Sequence, residues 1–232
     1  YVAPEYAWYP ETAFHFHKAG DLFFAASAGH NKQSHNHNDV GTFSLYYKDR
    51  PMIIDVGVGT YTRQTFSDER YSIWTMQSGY HNLPMINGVT QKDGREYAAK
   101  EVVSGKGYFS ADISGAYPSE AAVSHWIRSY KVKERTLEIT DAFVLDKASA
   151  PNEIVFMTWG NVQEAGDGLV TIEVDGQKAS LRYSASDFEA VVEPIALEDP
   201  KLVEVWGGEI CRVRLVSRKL LKKANYKYKI CF

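Results

Sequence analysis

Gly41-Thr42-Phe43-Ser44-Leu45-Tyr46-Tyr47, then Lys48-Asp49-Arg50-Pro51, then Met52-Ile53-Ile54-Asp55-Val56: this stretch decides the fold. Phe43, Leu45 and Tyr47 fall on one side of an extended chain. Four turn-forming residues follow, and a second apolar run returns. The stretch reads as a β-hairpin.

The period of two continues outward in both directions. Residues 13–17 alternate, and residues 21–26 form a short buried run after the Ala19-Gly20 turn. Downstream, strand patterns cover 101–103, 108–113, 127–132, 137–144, 154–159, 169–174, 178–183, 188–192, 211–216 and 226–232. Turn pairs such as Asp93-Gly94, Ser114-Gly115 and Asp175-Gly176 punctuate them. No long amphipathic helix interrupts the series. Residues 119–124 allow one helical turn, and residues 66–78 make a long aromatic and charged connection of the kind that binds something. The pattern predicts an all-β fold, a large antiparallel two-sheet β-sandwich. It occupies residues 12–232 as a single domain, with residues 1–11 as the junction from whatever precedes it.

Composition narrows the function classes. The 232 residues carry 26 Lys+Arg and 29 Asp+Glu, a net charge of −3, too balanced for nucleic-acid binding by bulk charge. The longest apolar runs fall far short of a membrane span. Aromatics reach 13%, with 15 Tyr and 5 Trp, which suits strands and sugar-binding surfaces. Cys211 and Cys231 are too few for a disulfide scaffold; they pair only if two late strands run side by side, and otherwise stay as buried thiols. The chain opens on Tyr1-Val2-Ala3-Pro4 without an initiator Met, so it is expected to be cut from a longer protein. The absence of a signal peptide then says nothing about compartment.

The densest polar segment is Ser34-His35-Asn36-His37-Asn38-Asp39-Val40-Gly41. On an extended strand His35, His37 and Asp39 share one side, about 7 Å apart per pair. Two such histidines either share a metal or divide metal binding from proton transfer. The hairpin adds Asp55, a carboxylate in an apolar run that is costly unless paired or ligated. His81 follows in Tyr80-His81-Asn82. Together His37, Asp55 and His81 would form a nitrogen–nitrogen–oxygen set that zinc accepts, with a fourth position open to water or another ligand. His15-x-His17 has no nearby acid and reads as structural. An oxygenase reading needs a Glu a few residues after His-x-His, where this chain has Gly41, Thr42 and Phe43.

Three ordered motifs resemble the heparinase II/III-like polysaccharide lyases. They are the run from Gly29-His30-Asn31 to Gly41, the stretch Ile53-Ile54-Asp55-Val56-Gly57-Val58-Gly59-Thr60-Tyr61, and the stretch from Arg70-Tyr71-Ser72 to Gly79-Tyr80-His81-Asn82. The resemblance is densest between residues 29 and 90. It implies that this chain is the C-terminal β-sandwich of a protein whose upstream part is an α-helical toroid. It implies one structural zinc on His37, Asp55 and His81, with His35 facing the cleft and taking part in β-elimination of a uronic-acid-containing, acidic polysaccharide. Most of the catalytic set would belong to the toroid, although Tyr71 or Tyr80 can supply a tyrosine from this chain. A periplasmic or secreted location follows from such substrates.

The connection 61–80 would wall the cleft. Arg63 and Arg70 suit carboxylate or sulfate, while Tyr71 and Trp74 suit sugar faces, with Trp74 equally suited to core packing. Lys32 and Arg95 are further cationic candidates. The competing reading is a non-catalytic carbohydrate-binding or scaffolding sandwich with a structural metal.

Overall fold

The structure is a computed structural model that describes residues 4–232. In it Phe43–Tyr47 pairs antiparallel with Arg50–Ile53, Tyr47 opposite Arg50 and Leu45 opposite Ile53, with a register shift between Leu45 and Tyr46. Lys48 and Asp49 both adopt positive φ, 46° and 61°. That two-residue reversal matches the twist of the flanking strands.

This hairpin ends a five-stranded antiparallel sheet ordered Tyr6–Tyr9, Phe14–Ala19, Leu22–Ser27, Phe43–Tyr47, Arg50–Ile53. The first strand lies inside the stretch expected as a junction, so the sheet begins before residue 12. Trp8 explains the earlier start, since its ring packs 6.0 Å from that of Phe109 on the opposite sheet. Residues 1–3 of that junction lie outside the described residues.

A four-stranded sheet, Phe188–Ala196, Glu209–Ser217, Glu153–Thr158 and Pro84–Met85, continues the same layer. The join is made by Ile54 N donating to Met157 O over 2.9 Å and Thr158 Oγ1 donating to Met52 O over 2.7 Å. Facing both is an eight-stranded sheet with Val123–Lys133, Thr136–Leu145 and Lys223–Cys231 at its centre. Aromatic rings fill the gap between layers. Phe24 and Phe43 meet Tyr130 at 5.1 and 5.2 Å, Phe156 meets Tyr228 at 6.0 Å, and Phe188 meets Tyr226 at 4.5 Å. Each such buried ring contributes about 2–3 kcal/mol of transfer free energy. The two-sheet sandwich read from the period-two pattern is thus the observed fold.

Helical structure is marginal. The single α-helix among the described residues, Pro200–Trp206, starts at Asp199, whose carboxylate accepts from Lys201 N and Leu202 N, with proline in the first turn. Among the described residues no helix is long and apolar enough to cross a membrane. Cys211 and Cys231 are both free, on strands of opposite layers.

Candidate metal centre and adjoining cleft

Residues 32–41 do not form the extended strand that alternation predicts. They form a loop, with His35 in the left-handed region at φ 57°. Side chains take over the bonds a neighbouring strand would make. Asn31 Oδ1 accepts from Asp39 N at 3.2 Å; Gln91 accepts from Val40 N at 3.0 Å and donates to Val40 O at 2.7 Å. A segment rich in Asn and Ser competes with sheet ladders in this way. The loop closes at Gly41, where φ is +90° and an added Cβ would come within 2.6 Å of Ile113 Cγ2.

The loop brings His37 and Asp39 against Asp55 and His81. One ligating atom from each of the four lies within 4.8 Å of all the others. His81 is buried, and its Nδ1 sits 2.9 Å from the Gln77 carbonyl. A carbonyl only accepts, so Nδ1 carries the proton and the lone pair of Nε2 points into the cluster. That Nε2 is 3.0 Å from His37 Nδ1 and 3.6 Å from Asp55 Oδ2. Asp55 Oδ1 accepts from Gly57 N at 2.8 Å, which orients the carboxylate.

Burial and the neighbouring His81 push His37 down to about 4, so its imidazole is neutral and able to ligate. Burial pushes Asp39 up to about 7, with His81 opposing the rise and the neighbouring Asp55 carboxylate adding to it. Two imidazole nitrogens and two carboxylate oxygens make a donor set that fits a zinc-type ion. The expected triple of His37, Asp55 and His81 is therefore brought together. Asp39 joins it as a fourth candidate that the sequence reading did not select, although its place two residues after His37 was the available signal.

Asn82, also passed over, aligns the cluster. Its Nδ2 donates to Phe43 O (2.7 Å) and Ile54 O (2.9 Å), and its Oδ1 accepts from Met157 N (2.6 Å). One buried amide thereby ties His81, its chain neighbour, to the strand end that carries Asp55. The Asn82 carbonyl accepts in turn from Arg128 Nη1 at 2.7 Å. Arg128 is held by two bonds of 2.8 Å to Asp141, both residues fully buried in the opposite sheet.

Beside the cluster opens a cleft of about 810 Å³ lined by Lys32, His35, Asn36, Phe66, Arg70 and Tyr71, among others. Tyr71 Oη donates to Asn36 Oδ1 at 3.0 Å, and burial raises the phenol above its ordinary range. Arg70 bonds Asn36 O at 3.0 and 3.2 Å and Thr65 O at 2.9 Å, pinning the loop that presents His35. The connection read as a long loop is a succession of short 3-10 turns from Gln64 to Tyr80.

Other candidates are placed elsewhere. Arg63 is exposed and outside the residues lining the cleft. Trp74 and Tyr80 pack edge-to-face at 5.0 Å against a small apolar cluster containing Ile54, Val56 and Met157, and the Arg212 guanidinium lies 4.4 Å over Tyr80. They do not line the cleft, because Ile54 and Met157 offer them an apolar seat at the join of the two sheets. The exposed ring of Tyr61 lies 6.3 Å from His35, and Phe66 stacks on Tyr61 at 5.6 Å. His15 is buried, bonded to Ser104 Oγ at 2.8 Å, and not among the four residues of the cluster.

The family described as heparinase II/III-like, C-terminal, matches residues 2–199. No curated protein matches the sequence significantly. The fold is similar to that of heparan sulfate lyase HepC from Pedobacter heparinus, with a TM-score of 0.71 and 16% identity over 97% of this chain and 36% of that one. It is also similar to a Paenibacillus xanthan lyase (TM-score 0.55, 10% identity, 98% of this chain, 25% of that one). A putative aldose 1-epimerase from Escherichia coli K12 shares the fold too (TM-score 0.53, 7% identity, 94% of this chain, 98% of that one). At such identities the likeness is one of fold alone. The chain spans 36% of the length of the heparan sulfate lyase it matches. With the family match running from residue 2 to residue 199, the chain belongs to the heparinase II/III-like family and represents its C-terminal region.

Proposed function

We propose that this chain is the zinc-bearing β-sandwich of a lyase that cleaves uronic-acid-containing, acidic polysaccharides by β-elimination, acting in the periplasm or outside the cell. The observation that carries the reading is the convergence of His37, Asp39, Asp55 and His81 beside a cleft edged by His35 and Tyr71. His37, Asp55 and His81 would hold the ion, with Asp39 as the fourth ligand. Bound there, zinc supplies a fixed positive charge that clamps the loop to the sheet, a structural service rather than a Lewis-acid one.

The reaction needs a base at C5 of the uronate, an acid at the leaving oxygen on C4, and a cation or donor on the carboxylate. The C5–H bond breaks, its electron pair forms the C4–C5 double bond, and the C4–O bond breaks as its oxygen gains a proton. His35, fixed two residues from a ligand, is assigned the proton transfer this chain contributes. Tyr71, aimed by Asn36, is the tyrosine of the two candidates that faces the cleft; Tyr80 is occupied by Trp74 and Arg212. Arg70 orients the loop, and Arg63 lies free to meet a carboxylate or sulfate farther along the chain of sugars. The rest of the catalytic set belongs to an upstream helical toroid, so the sandwich alone is inactive.

Elemental analysis of the 232-residue chain should find about one zinc, lost in His37→Ala and in Asp55→Ala. Only the longer protein should generate the ultraviolet-absorbing unsaturated uronate. Turnover unchanged by His35→Ala in that longer protein, with metal retained, would remove His35 from the chemistry and leave a glycan-binding module. A metal-free preparation from gentle purification would sink the zinc assignment.

A further inference from the structure

Charge on this molecule is unevenly distributed. The chain as a whole is slightly acidic, at −3, yet one groove on the outer face of the eight-stranded sheet gathers Lys131, Lys227, Lys229 and Arg182 around a single acid, Glu138. Register places Lys131 opposite Glu138, Glu138 opposite Lys229 and Lys229 opposite Arg182, so four side chains form one row across four adjacent strands. Neighbouring strands are about 4.8 Å apart, so the row runs for about 14 Å. Lys227 stands two residues from Lys229 on the same face and opposite Thr140, which in turn faces Ser129. These residues line a shallow groove of about 490 Å³.

Glu138 is the acid in the row and is already engaged, 2.9 Å from Lys133 and 3.8 Å from Lys229. Lys131, Lys227 and Arg182 have no carboxylate within 4 Å among the described residues and are all exposed. Like charges held this close raise the energy of the free protein and are relieved by an anion. The groove has hydroxyls from Ser129 and Thr140 between its cations; of the larger apolar residues in its lining, Ile139 and Tyr228 are buried and Tyr183 is half-buried, a ring on which a sugar face can stack.

We infer that this face is a second, non-catalytic binding surface for a linear polysaccharide bearing carboxylate or sulfate groups. The metal centre and its cleft are built from the loops and edges of the other layer, so the surface is separate from them. It rests on the proposed reading only in sharing the chemistry of its ligand. Two contacts on one long glycan would raise the local concentration of substrate at the cleft without any change in the cleft itself.

The test measures affinity of the 232-residue chain for heparin, with neutral dextran and single-stranded DNA of matched length as comparators. Binding is followed from 50 to 300 mM salt. The wild type should bind heparin at physiological salt and ignore dextran. The variant Lys131→Ser/Lys227→Ser/Arg182→Ser should bind at least tenfold more weakly, with a visibly shallower salt dependence. Lys18→Ser, which removes an exposed cation on the five-stranded sheet outside both the groove and the cleft, should bind like the wild type, so that a loss in the triple variant is specific to this face. Single Lys227→Gln, which leaves the strand's register alone, should weaken binding severalfold and covers the case in which the triple variant misfolds. Unchanged heparin affinity in a folded triple variant would overturn the inference. So would DNA binding as tight as heparin binding, which would show charge without glycan recognition.

Discussion

Arg128 Nη1 donates to the main-chain carbonyl of Asn82 over 2.7 Å, so a buried ion pair in one sheet ends one residue from a candidate metal ligand in the other layer. The Asp141 carboxylate fixes the guanidinium, the guanidinium fixes the carbonyl, and the Asn82 amide fixes the strand end next to Asp55. Interlayer packing and ligand placement are in this sense one problem.

Breaking that pair on one side should be severe. Arg128→Met leaves the Asp141 charge buried and uncompensated, at a cost of about 3–5 kcal/mol. Arg128→Met/Asp141→Leu should recover much of that loss in urea unfolding, since buried pairs offset their own desolvation poorly. Metal affinity should not recover with it. A double variant that binds metal like the wild type would show that the Asn82 carbonyl needs no anchor.

Asn82 itself satisfies three buried backbone groups of Phe43, Ile54 and Met157. Asn82→Ala strands them, and unfolding measurements should show a loss of about 2–4 kcal/mol. Isothermal titration with zinc should show affinity lowered by about 10- to 100-fold, the usual result of removing support behind a ligand. Loss of stability with undiminished affinity would make Asn82 a purely structural residue.

Metal removal should be visible as heat sensitivity. Free zinc at about a hundred times its Kd adds about 2.7 kcal/mol, a rise in Tm of roughly 5–10 °C for a chain of this size. Chelator should reverse it. Asp39→Asn should weaken binding while keeping some metal, whereas His81→Ala should abolish the zinc-dependent shift. An Asp39→Asn chain that titrates like the wild type would reduce the site to the three ligands expected from sequence.

Acid stability tests a different histidine. Burial pushes His15 down to about 4, while in the unfolded chain it titrates near its ordinary value of about 6.5. Between those values the unfolded state binds the extra proton, so stability is full at neutral pH and falls as pH drops from about 6.5 toward 4. The loss between pH 7 and pH 5 should be roughly 1–2 kcal/mol. His15→Asn keeps a partner for Ser104 and lacks the titration, so its unfolding free energy should depend less on pH over that range. Parallel profiles for the two proteins would contradict the assignment.

Much of the site was legible in the residues because its chemistry is local to short motifs. A carboxylate at the end of an apolar strand and a histidine before an apolar run both had to be accounted for, and Asp55 and His81 are. The error at 35–39 has a definite source. Alternation of polar and histidine residues mimics a strand, but Asn31 and Gln91 supply the hydrogen bonds from side chains, and nothing in the period of the segment reports that. Trp74 and Tyr80 were drawn toward the cleft by their position in the connection, and the apolar seat beside Ile54 and Met157 took them instead.

By itself the sequence determined the all-β sandwich and pointed to His37, Asp55 and His81 as candidate cation ligands. Side-chain alternation, turn chemistry and the cost of an isolated buried carboxylate are properties of the chain read in order. Tertiary structure alone decided that Asp39 completes the cluster, that Asn82 and the Arg128–Asp141 pair brace it, and that cations from separate strands line up on the far sheet. Those relations depend on strand register and on how the two layers meet, and such distances are set by packing rather than by position along the chain.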